Sequence, residues 1–295
     1  MWAENANPSV RWVQLLVLAA LTAFVGAMWG MERATVPLIA RQDFGIASAA
    51  VTLSFVVGFG LTKTFANLGA GVLMDRIGRK RVLVIGWIAG MPVPLLIIWA
   101  PSWGWVVGAN LLLGVNQGLC WTATILMMMD VVNGERKGFA TGLNEFAGYG
   151  GVAVLTLATG FLAAAYAPRP QPFILGIVIA VVGLTASVLL VRDTVDRSEE
   201  GAAPSFRSTF VDSVRDRPLL SLGQAGLVTK INDATVWGLL PLALDARGVD
   251  VARVGVVAAI FPLVWGVSQL GTGILSDYLG RKPLILAGMI LQSIG

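Results

Sequence analysis

The 295-residue chain is 56% hydrophobic and only 13% charged, with a formal net charge of +4. Soluble globular chains carry roughly 25% charged residues, so charges this sparse exclude a soluble protein of this size. One cysteine, Cys120, and no histidine exclude an internal disulfide framework and a Cys/His metal cluster, so no metal, cofactor or catalytic set is expected.

A helix needs about 20 apolar residues to cross a bilayer. Read in chain order, such runs cover 12–36, 48–73, 82–101, 103–131, 139–166, 172–191, 219–243 and 252–275, and a ninth begins near Leu284. The first run has a short polar leader without a small-residue cleavage site, so it reads as a retained helix. It ends in "GMERATVP", where Glu32 and Arg33 read as an interfacial pair.

The second run carries Lys63, about 12 Å from its end at 1.5 Å per residue, and Asn67 one turn further on. It closes on "GVLMDRIGRKR", Gly71 to Arg81. There Gly71 would let a neighbouring helix approach, Gly78 would allow a tight turn, and Asp75 needs a partner near the membrane surface. Arg79 is four residues on, and Asp130, at the end of the fourth run, is a second acid within reach.

The fourth run also bears Asn110, Gly114, Gln117 and Trp121 in steps of four, three and four. This polar and aromatic stripe suits the wall of a ligand cavity. Glu145 lies in the fifth run at a depth like that of Lys63, and ionisable groups at such depth are functional candidates.

Arg192 to Pro218 is the one long polar stretch and reads as a linker. Phe206, Phe210 and Val214 within it fit either a short interfacial helix or a solvated loop. The seventh run carries "TKINDATVW", in which Lys230 and Asp233 share a face beside Asn232. They face either a substrate path or only each other.

Of the 21 bases, fourteen fall in segments on the N-terminal side of the membrane, five on the other side and two within runs. The positive-inside rule then places the N-terminus in the cytoplasm.

The charged cluster recurs as "GILSDYLGRKP" from Gly273. At one offset of 202, Gly71, Asp75, Gly78, Arg79 and Lys80 fall on Gly273, Asp277, Gly280, Arg281 and Lys282. Six spans, a linker and a second copy imply a duplicated helical bundle, and parallel repeats are one way to build a transporter.

These residues resemble the signature of the major facilitator superfamily, G-x-x-x-D-R-x-G-R-[RK]. The first copy, Arg76 included, matches throughout; Tyr278 replaces the arginine in the second. The resemblance implies an all-α polytopic bundle of two parallel repeats, the second truncated. Its domains would be a six-helix domain over 1–191, a cytoplasmic linker over 192–218, and the start of a second domain over 219–295. A repeat of this length implies roughly 400 residues and twelve helices in all.

In the superfamily the acid of the motif faces the N-terminus of a helix from the other half and latches the outward-open state; for Asp75 that helix would be the eleventh. Helices 1, 4, 7 and 10 line the cavity, which places Lys230 and Asp233 on the substrate path. Helices 2 and 5 share a domain and border the interface with the second half, so the resemblance implies a Lys63–Glu145 pair, for coupling or for packing alone.

Two departures leave drug antiport unsecured. Gly114 stands where many proton-coupled drug exporters have an arginine, and Phe146 and Ala147 replace the central Gly-Pro of their fifth-helix motif.

The expected activity is secondary active transport of a small solute across the inner membrane by alternating access. Protons are the expected coupling ion, an antiporter working in efflux is one form, and the full-length protein is expected to be a monomer. The alternatives are an importer of a small polar metabolite and a non-transporting membrane sensor. No nucleic-acid partner is expected, and no nucleotide-binding loop of the Walker type is present. Without histidine, a carboxylate, Glu145 or Asp233, is the natural proton carrier, with the lean towards Asp233.

Overall fold

The computed structural model describes residues 7–132, 136–194, 210–211 and 214–294. Most of the linker, with Phe206, lies outside them. The described residues form α-helices and no strand. Seven spans are long and apolar enough to cross a membrane. This is a multi-pass all-α protein, because in a bilayer each helix satisfies its own backbone hydrogen bonds.

The first span is α1 (Pro8–Arg33) continued by α2 (Val36–Gln42). Asn7 caps α1 by accepting from the Ser9 N–H, and Pro37 sits in the first turn of α2, where its missing N–H costs nothing. A short α3 (Ala49–Thr52) leads into α4 (Ser54–Ile77). The third span is α5 (Arg79–Gly90) and α6 (Pro92–Ile98), separated where Pro92 and Pro94 remove backbone donors.

Three helices follow: α7 (Trp103–Val131), α8 (Lys137–Ala165) and α9 (Gln171–Leu189). Beyond the linker come α10 (Arg217–Asp245), α11 (Val251–Leu279) and α12 (Arg281–Ile294). Helix α10 is as long as α7, but Lys230 and Asp233 interrupt its apolar run, and it is not among the seven spans.

The buried centre is built on α1 and α7. Leu18, Val25, Met28, Leu113 and Met127 are fully buried. Polar side chains tie the helices together, as they do where lipid supplies no partner. Gln117 Nε2 donates to the Val25 carbonyl at 2.6 Å, Asn116 Nδ2 to the Gly86 carbonyl at 2.9 Å, and Thr22 Oγ1 to Asn144 Oδ1 at 3.0 Å.

Helix α8 runs antiparallel along α11. Backbones touch at both ends of the seam: a methyl on Gly160 would lie 2.7 Å from Gly255 Cα, and one on Gly273 would lie 2.8 Å from Gly142 Cα. The outer faces carry exposed apolar side chains such as Leu16, Val154, Val178 and Leu263, as a lipid-facing surface should.

Candidate functional site

Trp29 is the hub of a cluster drawn from six helices. It stacks on Phe59 of α4 with centroids 5.6 Å apart, and meets Tyr149 of α8 and Trp237 of α10 edge-on at 5.9 and 5.6 Å. Trp121 of α7 meets Tyr149 at 5.7 Å, and Trp265 of α11 lies 5.3 Å from Tyr149.

Three cations enter this aromatic surface, each attracted by the negative face of a ring. Arg33 Cζ lies 4.8 Å from Trp29. Lys63 Nζ lies 5.0 Å from Trp29, 5.2 Å from Trp121 and 5.4 Å from Phe59. Lys230 Nζ lies 5.2 Å from Trp265, 5.3 Å from Tyr149 and 5.9 Å from Trp29.

Two carboxylates answer them. Asp233 Oδ1 accepts from Arg33 Nη2 at 2.5 Å, with both side chains buried, and Asp233 Oδ2 lies 3.7 Å from Lys230 Nζ. Lys230 also donates to the Tyr149 hydroxyl at 2.6 Å. Glu145 Oε1 accepts from Trp121 Nε1 at 2.7 Å.

Several sequence expectations need correction here. Glu145 is bonded to Trp121 and forms no ion pair with Lys63, because the indole of α7 takes its carboxylate while the Lys63 ammonium lies over the rings of Trp29, Phe59 and Trp121. Arg33 and Glu32 are not an interfacial pair. The apolar run continues through Val36–Ala40, which is buried, so both residues lie well inside the first span.

The stripe on α7 divides. Asn110 and Gln117 are buried in helix packing rather than on a cavity wall, and Asn110 Nδ2 bonds the Val106 carbonyl of its own helix. Gly114 is pressed against Thr62 Oγ1 and the Phe59 carbonyl, which leaves no room for an arginine there. Only Trp121 reaches the cluster. Asn67 accepts from Thr122 Oγ1 at 3.1 Å, and Asn232 lines a groove of about 970 Å³ between α10, α11 and α12.

The two charged loops share one backbone geometry: Gly78 has φ 90° and ψ 155°, and Gly280 has φ 79° and ψ 165°. Only glycine takes such a conformation readily. That turn also breaks the helix between Asp75 and Arg79, so the fourfold spacing does not bring them together. Arg79 instead pairs with Asp130 and donates to the Leu126 carbonyl at 2.9 Å, while Asp75 is exposed and makes no ion pair among the described residues.

Lys80 Nζ donates to the Val188 carbonyl at 2.8 Å. Arg76, Arg281 and Lys282 are exposed. A methyl on Gly71 would meet nothing within 4 Å among the described residues, whereas its counterpart Gly273 packs on Gly138 and Gly142. Asp277 grips the first turn of α8: its two carboxylate oxygens accept from the N–H groups of Gly138 and Phe139 at 2.7 and 2.9 Å. A helix N-terminus favours such an anion.

A profile described as "Major Facilitator Superfamily" matches residues 18–295. The chain belongs to the Major Facilitator Superfamily. This makes it a membrane transporter by family and not an enzyme. Among relatives of this superfamily chain, the Multidrug resistance protein MdtG of Escherichia coli strain 55989 is 23% identical over 298 aligned positions, which cover 98% of this chain and 72% of MdtG.

Two solved superfamily structures share the fold. The human organic anion transporter MFSD10 superposes with a TM-score of 0.53 at 10% identity, covering 93% of this chain and 95% of that one. A partially occluded, inward-open form of the E. coli xylose transporter XylE gives 0.56 at 13%, covering 94% and 73%.

Trp29 and Arg33 are among the cluster residues that sequence reading left out of the candidate site. Their signal was present: they stand four apart on one face of a helix, within an apolar stretch that runs on past them.

Proposed function

We propose that this protein is a proton-coupled secondary transporter that exports a small solute across the inner membrane by alternating access. Two helical domains, 1–191 and the part beginning at 219, would rock about the Trp29 cluster. One observation carries this reading. The charged cluster at membrane depth is shared between helices before and after the linker, with the Arg33–Asp233 pair joining α1 to α10. Charged groups at that depth are costly and mark solute or ion pathways. The relation to MdtG, a multidrug resistance protein by name, supports efflux as the direction.

Glu145 is the better proton carrier of the two carboxylates, which revises the lean towards Asp233. Asp233 is held by a guanidinium and an ammonium, so a proton taken up there would break an ion pair. Glu145 bonds a neutral indole N–H, and protonating it breaks none. The test uses proteoliposomes loaded with a pH-sensitive dye and a panel of added solutes. Glu145→Gln is expected to abolish solute-driven proton movement while solute exchange continues. If both Glu145→Gln and Asp233→Asn keep full uphill transport, coupling through either is wrong, and sodium coupling or facilitated diffusion replaces it.

A further inference from the structure

We propose that the Trp29 cluster selects solutes that join a single negative charge to a flat apolar body, the chemistry of an aromatic monocarboxylate. The inference rests on the transport reading only for what happens after binding. Two independent observations carry it.

The first is charge. Three bases, Arg33, Lys63 and Lys230, meet two carboxylates, Glu145 and Asp233. Arg33 is matched by Asp233 at 2.5 Å. Lys63 has no carboxylate within ion-pair distance among the described residues and is held by three rings. A third acid, the buried Glu32, is on α1 next to Arg33 and lies beside Asn110 of α7. Lys230 shares Asp233 at 3.7 Å, and its side chain is 52% exposed.

The second observation is hydrogen bonding. Buried polar groups nearly always have partners, yet the indole N–H groups of Trp29, Trp237 and Trp265 and two guanidinium nitrogens of Arg33 have none among the described residues. On the side chains of the cluster itself every such group is a donor; the unpartnered acceptors of α1 and α7, Glu32 Oε1 and Oε2, Asn110 Oδ1 and Gln117 Oε1, belong to side chains outside the cluster. A carboxylate, which only accepts, is the complement, and charge-assisted bonds to it are the strong kind.

The rings supply the apolar walls. Aromatic cages often take cations, but here the protein's own cations already occupy the faces of Trp29, Trp121 and Trp265. A cationic solute would meet three like charges.

The experiment follows tryptophan fluorescence of the purified protein in lipid nanodiscs. Benzoate is titrated against benzamide, its neutral counterpart, and tetraphenylphosphonium, an aromatic cation. Saturable binding of benzoate in clear preference to both is expected. Lys63→Gln should weaken it about tenfold or more, the scale of one charge-assisted bond, with Lys63→Arg close to the parent.

Equal binding of benzamide, tighter binding of tetraphenylphosphonium, or absence of benzoate binding overturns the proposal. So does unchanged benzoate affinity in Lys63→Gln. Should that variant fail to fold, the three-probe comparison on the unaltered protein still decides. Benzoate binding without flux in proteoliposomes would sink the transport reading and leave this one standing. Flux of tetraphenylphosphonium without benzoate binding would do the reverse.

Discussion

Arg33 and Asp233 are each almost completely buried and sit on helices that the linker separates. An ion pair in such a place gains little over an apolar pair of the same shape, but removing one partner strands the other charge. The usual cost is about 3–5 kcal/mol. Arg33→Gln or Asp233→Asn alone should therefore lower the thermal unfolding midpoint sharply in detergent. The double variant should recover much of the loss, because neither fully buried member of the pair is then stranded, and Lys230, which loses Asp233, is half-exposed. Equal destabilisation by single and double variants would show that shape rather than charge holds this contact. At this scale the sequence was only half legible. Lys63, Lys230, Asp233, Glu145 and Trp121 stand out as polar or aromatic side chains in apolar runs, and all five enter the cluster. Their partners did not follow, since depth along a helix says nothing about which neighbour lies between two groups of equal depth.

Helix α8 is fixed to α11 by glycine contacts along the seam and by Asp277 at its first turn. The glycine contacts are apolar and permit sliding. The two N–H bonds to one carboxylate set where α8 begins relative to α11, each worth about 1.5–3 kcal/mol as a bond to a charged group. Asp277→Asn keeps the shape and loses the charge. Spin labels at Leu189 and Tyr278, both well exposed, should then report a longer and broader distance distribution across that end of the bundle. Asp75→Asn breaks none of these bonds and should leave the distribution unchanged. An unaltered distribution in Asp277→Asn would mean that the glycine seam alone holds the helices. Span positions were readable because twenty apolar residues in a row have few other uses. The internal breaks at Ala34–Thr35 and Gly90–Met91 were not, because prolines such as Pro37 and Pro92 leave the hydropathy of the run unaltered while ending its hydrogen-bond ladder.

Across the whole molecule, aromatic side chains mark two levels. Trp12 and Tyr278 are exposed at the end that carries the glycine-linked charged loops, and Trp99, Trp105 and Tyr166 are exposed at the other. Indole and phenol rings collect at membrane–water interfaces, and a 29-residue helix such as α7 spans about 43 Å at 1.5 Å per residue, enough to join two such levels. The bases decide which level faces the cytoplasm. The loop end holds Arg76, Arg79, Lys80, Arg81, Arg281 and Lys282, against Arg41, Arg169, Arg247 and Arg253 at the other. Counted over short loops, such an excess sets orientation, so the loop end and the N-terminus should face the cytoplasm. Reporter domains fused after Lys80, Glu135 and Glu200 should then read as cytoplasmic, and those after Pro101 and Pro170 as external. The position after Glu200 is the most informative. It follows six spans, so an external signal there would require an odd number before it, invert α10 and α11, and separate Asp233 from Arg33.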